Sequence, residues 1–284
     1  MNIPIAAEAI FHIGSFPVTN AYVNSTLVTL VFVVFALIFS RLVRRRPGRL
    51  QVAVEALLDF LLGYFDQVTG SRAKSRKFLP LVGTLFLFIL LSNWLGLLPG
   101  TGTIGRWLLV HGELELVPVL RSANSDLNLT LAMALTTVIA SHLLGMFTLG
   151  FFTHWNKFIQ LGSLWKAIIS GKLMTIITAI VEFGVGLLEL VSEAAKVLSL
   201  SLRLFGNVFA GEVLMTVIAS LISFIVPLPF MALELIVGVV QATVFTMLAL
   251  VYLSTMSTAP HGSEHAEHAE HEKEPLVLSP EAST

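Results

Sequence analysis

Apolar residues fall in five long runs separated by polar segments, at about 25–43, 78–98, 129–152, 173–224 and 228–257. About 20 apolar residues in a helix cross a hydrocarbon core of about 30 Å, so each run predicts a membrane-crossing helix. The segment at about 50–69 has a different rhythm. At ~100° per residue, Glu55, Asp59 and Asp66 fall within about 40° of one another, opposite Leu57, Leu58, Leu61 and Phe65. That pattern predicts an amphipathic helix on the membrane surface. The expected fold class is an all-α polytopic membrane protein with five crossing helices and one surface helix.

The fourth run is too long for a simple span. About 50 residues at 1.5 Å each is ~75 Å, more than twice the apolar core, so this helix must tilt strongly or run partly in the membrane plane. With the fifth run it predicts a long tilted hairpin joined by Pro227-Leu-Pro229. Residues 1–24 read as an exposed extracytoplasmic lead-in; with no Lys or Arg and no clear cleavage site, they do not read as a signal peptide. Residues 99–127 are rich in Gly, Pro and Asn and predict an outer loop, with Asp126 or Asn128 capping the third span. Residues 25–257 then form one membrane domain, and 258–284, rich in His and Glu, a disordered cytoplasmic tail.

Composition agrees: 55% of residues are hydrophobic and 12% charged, against about 45–50% and about 25% in ordinary soluble domains. With no cysteine, disulfides, thiol catalysis and Cys-ligated metals are excluded. The net charge of −1 decides little; its placement decides more. Thirteen of the 17 Lys and Arg fall at 41–77, at 153–172 and in the tail, and two, Arg106 and Arg121, in the outer loops. Basic segments stay on the cytoplasmic side, so the N-terminus is expected outside and the C-terminus inside.

The remaining two, Lys196 and Arg203, sit within the long fourth run. An arginine at membrane depth costs roughly 2.5–3.5 kcal/mol on insertion scales and cannot shed its charge. With Arg203 at zero and ~100° per residue, Glu182, Glu189, Ser192, Glu193, Lys196, Ser199 and Asn207 all fall between about −40° and +80°. A continuous polar face on a membrane helix packs on another polar helix or lines an aqueous path. In the fifth run Glu234, Gln241, Phe245 and Tyr252 share a face within about 40° by the same rule. Glu212 falls on the far side from Arg203, in a second polar environment. Glu193 and Lys196 have ion-pair spacing; Arg203 has no carboxylate three or four residues away, which implies a partner on another subunit.

The stretch Ser199-Leu-Ser201-Leu-Arg203-Leu-Phe-Gly206-Asn207-Val resembles the signature of subunit a of F-type ATP synthases. The resemblance extends over about 8–257. It includes Phe11-His-Ile-Gly14, Val18-Thr-Asn20, Asn93-Trp-Leu-Gly-Leu-Leu-Pro99, Asp126-Leu-Asn-Leu-Thr130 and Gln241-Ala-Thr-Val-Phe-Thr-Met-Leu-Ala-Leu-Val-Tyr252. It implies a stator in the cell inner membrane, packed against a rotating ring of c subunits and joined to the b-subunit peripheral stalk. Two half-channels would carry protons, with ATP synthesis as the coupled output. Arg203 would meet the ring carboxylate and block leakage; Asn207 and Gln241 would position it. Glu212 and Glu234 would relay ions, with Glu189, Ser199, Tyr252, Glu182, Glu193 and Lys196 as secondary lining. Transport of sodium instead of protons, or a secondary transporter with an intramembrane arginine, are the alternatives.

Other signals are weaker. Gly100, Gly102 and Gly105 form no phosphate loop, since no Gly-Lys-Ser/Thr follows, so no nucleotide site, cofactor or catalytic chemistry is expected in this chain. No nucleic-acid partner is expected either. The repeated Glu264-His265, Glu267-His268 and Glu270-His271 read as a solvated tail. His142, in an apolar run, reads as a packing histidine, and His111, Glu113 and Glu115 as solvent-facing.

Overall fold

The computed structural model describes residues 8–45, 48–98, 105–110, 113–158, 169, 173–221 and 226–257. The His/Glu-rich tail, the glycines Gly100 and Gly102, His111 and most of the polar stretch after 158 lie outside them. Two short hairpins, β1 (Ala9–Ile13) with β2 (Phe16–Thr19) and β3 (Gly105–Val110) with β4 (Glu113–Pro118), accompany seven helices among these residues. The helices are α1 (Asn20–Arg45), α2 (Arg49–Thr69), α3 (Arg72–Gly96), α4 (Leu127–Leu149), α5 (Phe151–Phe158), α6 (Leu173–Leu221) and α7 (Pro227–Ser257). Five of them, α1, α3, α4, α6 and α7, are long and apolar enough to cross a membrane. The chain is an all-α polytopic membrane protein.

Element ends differ from the hydropathy pattern where backbone chemistry outruns it. The basic residues Arg72, Lys74, Arg76 and Lys77 are the first turns of α3 rather than a loop before it, because a helix does not stop hydrogen-bonding where lipid stops. Pro227 and Pro229 do not join the hairpin; they open α7, where a missing N–H breaks no helical bond. The lead-in is not simply exposed: residues 9–19 pair as a hairpin, Ile10 and Val18 are buried, and α1 begins at Asn20. Asp126 caps α4, its carboxylate accepting from the Asn128 N–H at 2.9 Å. Gly150, at φ 88°, ends α4 and lets α5 turn away.

The core lies where α3, α4 and α7 meet and takes in Phe78, Val82, Phe86, Ile89, Met133, Ala134, Ala242, Phe245 and Leu250. The surface helix joins it through Leu61 and Phe65, while Leu57 and Leu58 remain exposed. Arg72 clamps α2 to α3 through Asp66 at 2.9 Å and Asp59 at 2.7 Å. The Ser75 hydroxyl, outweighing some desolvation, and then the Arg72 guanidinium hold the Asp66 carboxyl below the ordinary carboxylate range.

Segment 121–125, leading into α4, is held on three sides. Asn24 of α1 donates to the Arg121 carbonyl at 2.7 Å, and Asn124 donates to Asn93 Oδ1 of α3 at 2.7 Å. Gly96 lets Ser122 approach so closely that a Cβ at 96 would lie 3.0 Å from its Cα. Helices α1 and α6 are the least covered: 6% and 11% of their most apolar windows are buried, against 39–44% in α3, α4 and α7. So α6, which carries the polar stripe, lies along the side of the bundle with much of its surface open.

Candidate functional site: the polar face of the α6–α7 hairpin

Three contacts set the register of the antiparallel hairpin. Near its turn, Gly211 of α6 faces Glu234 of α7, and a Cβ at 211 would collide with the Glu234 carboxyl. One step along, Asn207 Nδ2 donates to Gln241 Oε1 at 2.7 Å. Farther still, the Lys196 ammonium stands 5.3 Å from the centre of the Tyr252 ring, within cation–π range. The stripe on α7 therefore does meet the stripe on α6. Gln241 is buried, and its Nε2 has no partner among the described residues.

Gly211 is required here for space, not for backbone freedom. Gly211→Val would push the Glu234 carboxyl off the seam, and overpacking of this kind costs about 1–3 kcal/mol. The expected result is an assembled complex with a lower melting temperature and slowed ion pumping, read in membrane vesicles beside thermal denaturation of the purified complex. A wild-type pumping rate would show that Glu234 need not sit against Gly211.

Arg203 lies between the Asn207–Gln241 and Lys196–Tyr252 contacts. It is exposed, and it makes no hydrogen bond or ion pair with any described residue. Ser199 and Asn207, one turn to either side, are exposed too, while Leu200 and Leu204, on the flank of the helix next to this face, are buried in the core. The helix thus anchors by its leucines and turns its arginine outward, toward whatever covers this face in the assembly. Glu182 and Glu189 are partly buried farther down α6 and make no contacts of this kind.

Glu212 occupies the separate environment that the helical wheel implied, with a partner that sequence reasoning missed. Arg121, counted as an outer-loop charge, is buried and bonds Glu212 through Nε, at 2.7 Å to Oε1 and 3.0 Å to Oε2. The signal available in sequence was a carboxylate facing away from every cation of its own helix. Glu193 is likewise more enclosed than a channel-lining role suggested: it is buried, in contact with Lys196 and 3.5 Å from Nε2 of His142. His142 Nδ1 in turn lies 3.1 Å from Nε2 of His154 on α5. His142 therefore has polar partners on both sides, and His154 drew no attention in the sequence at all.

A multi-pass helical bundle whose long apolar fourth crossing carries an uncovered arginine, flanked by paired polar side chains, defines an integral membrane protein. Residues 22–254 match the model of the ATP synthase A chain family, and the chain belongs to that family. It is 30% identical over 245 residues to ATP synthase subunit a of Moorella thermoacetica, covering 86% of this chain and 94% of that one. It is 28% identical to ATP synthase subunit a 1 of Hahella chejuensis, over 89% of this chain and 91% of the relative. Identity to ATP synthase subunit a 2 of Bradyrhizobium sp. is 27%, over 88% and 94%. The chain is accordingly a multi-pass membrane component of the Fo sector of an ATP synthase complex.

Proposed function

We propose that this chain is the non-catalytic, ion-conducting stator of that sector, facing a rotating ring of c subunits and held by the b-subunit stalk. The observation that carries this reading is Arg203: exposed, unpaired among the described residues and fixed within a long helix that packs by its neighbouring flank. A cation at that depth calls for an anion from outside the chain, and a membrane-embedded ring carboxylate supplies one. Passing the arginine, the carboxylate is held ionised; leaving it, the carboxylate takes up a proton from one half-channel after releasing one to the other. Asn207 and Gln241 keep α6 and α7 in register beside it. Glu234 and Glu212 serve the outer half-channel; Glu189, Ser199 and Tyr252, with Glu182, Glu193 and Lys196, serve the inner one. The N-terminus lies outside and the C-terminus in the cytoplasm, and the coupling ion is the proton.

The absence of cysteine makes a single introduced thiol unique. Ser199→Cys, one turn from Arg203, is expected to cross-link to a thiol placed beside the ring carboxylate of a c subunit and to stall pumping until reduced. Val33→Cys on exposed α1 is expected to give no such product. Equal cross-linking from both positions, or none from Ser199→Cys, would remove the ring from this face.

A further inference from the structure

On the cytoplasmic side of the hairpin, five side chains from four helices stand in contact. His154 of α5, 1% exposed, lies 3.1 Å by Nε2 from Nδ1 of His142 on α4. His142 Nε2 is 3.5 Å from Oε2 of Glu193 on α6. Lys196 holds the other carboxylate oxygen, Oε1, and is itself seated over the Tyr252 ring of α7. A cavity of about 240 Å³ runs alongside, lined by His142, His154 and Glu193 among Met146, Trp155 and Leu190. His154 is set down on Gly145, where a Cβ would come within 2.7 Å of its ring.

We propose that His154, His142 and Glu193 form a proton-carrying chain feeding the inner half-channel, with Lys196 as the residue that positions Glu193. The inference rests on the ion-conducting reading above and adds to it the identity of the groups that carry the proton. A histidine ring passes a proton by taking it at one nitrogen and releasing it from the other. A proton moving from His154 Nε2 to His142 Nδ1 frees the proton on His142 Nε2 for Glu193 Oε2. Once His154 is refilled at Nδ1, each ring carries one N–H before and after, and rotation of both rings resets the tautomers for the next forward transfer. Glu193 then gives up its proton to water beside Lys196, where the α6 face opens toward Ser199 and Arg203. Lys196 stands two helical turns, ~10 Å, from Arg203 along that face. The opposite arrangement, a purely structural ion pair, needs only one hydrogen-bond donor at 142.

The test compares ATP-driven proton pumping in inverted vesicles carrying the whole complex, wild type beside His142→Gln, His142→Ala, His154→Gln and Arg203→Ala. His142→Gln retains an N–H donor for Glu193 but cannot relay. Pumping is expected to fall at least about tenfold in all three histidine variants, since a positioned proton-transfer group contributes roughly 10²–10⁴-fold. The wild-type rate is expected to vary with pH through the titration of this cluster, whose charged and titratable members are His142 (α4), His154 (α5), Glu189, Glu193 and Lys196 (α6) and Tyr252 (α7). That dependence is expected to flatten in His142→Gln. Added imidazole, which the adjoining cavity can admit, should restore flux to His142→Ala and not to His142→Gln. Wild-type rates and pH profiles in both glutamine variants, with Arg203→Ala inactive, would overturn the relay alone. Continued coupled pumping by Arg203→Ala would overturn the parent reading with it. Should His142→Ala fail to assemble, the glutamine variants decide.

Discussion

Arg203→Ala is expected to abolish ATP-driven proton pumping while the complex still assembles and hydrolyses ATP. The expectation follows from position, because Arg203 bonds to no described residue, so its removal breaks no bond among them. What it removes is a cation that favours an adjacent carboxylate's ionised form by about 1.4–4 kcal/mol, a factor of roughly 10–10³ in population. Without it a ring carboxylate passes the hairpin still protonated, and rotation no longer moves net charge. The barrier between half-channels falls too. Each proton carries about 2.3 kcal/mol per 100 mV, so a passive leak dissipates the gradient in vesicles energised by voltage alone. Arg203→Lys should retain partial pumping that declines at high pH, since a desolvated ammonium can lose its proton and a guanidinium cannot. The readouts are pH-indicator fluorescence and passive proton conductance in the same vesicles. Full coupled pumping by Arg203→Ala would end the electrostatic account of this residue.

Where sequence and structure coincide, and where they part, follows from the range of the forces involved. Bilayer-crossing helices are legible because lipid offers the backbone no hydrogen bonds, so each apolar run must satisfy its own. Asn207 with Gln241, and Lys196 with Tyr252, were legible as matching faces because helical periodicity is a local rule. Helix ends were less so: the first turns of α3 are basic and those of α7 hold two prolines, and hydropathy registers neither as helix. Least legible were partners supplied by distant segments. Glu212 meets Arg121 across 91 residues of sequence, and Glu193 meets His142 from another helix. A wheel drawn on one helix says which way a carboxylate points and nothing of what waits there. For Arg203 the wheel offered no carboxylate three or four residues away, and none of the described residues pairs with it.

The Arg121–Glu212 pair leads to the second large effect, on stability rather than transport. Arg121 is 3% exposed at its side chain and Glu212 27%. Removing one member of a buried pair costs about 3–5 kcal/mol, and the partial exposure of Glu212 places this pair toward the lower end or below it. The two single changes are not expected to be equal. Arg121→Gln leaves a carboxyl that can take up a proton and become neutral. Glu212→Gln leaves a guanidinium that cannot, held in place by the Asn24 bond to its own backbone carbonyl. Glu212→Gln should therefore lower the melting temperature of the purified complex, and the retention of this chain in it, more than Arg121→Gln does. The double variant should recover part of the loss, because the two charges are removed together and neither is left facing the other's neutral replacement. Pumping separates the two roles of Glu212: if it also carries ions, the double variant is stable and slow, and if it is only a counter-ion, the double variant is stable and fast. Additive losses in the double variant would mean that the two side chains contribute independently, and the pair would no longer account for how the segment before α4 is fastened to α6.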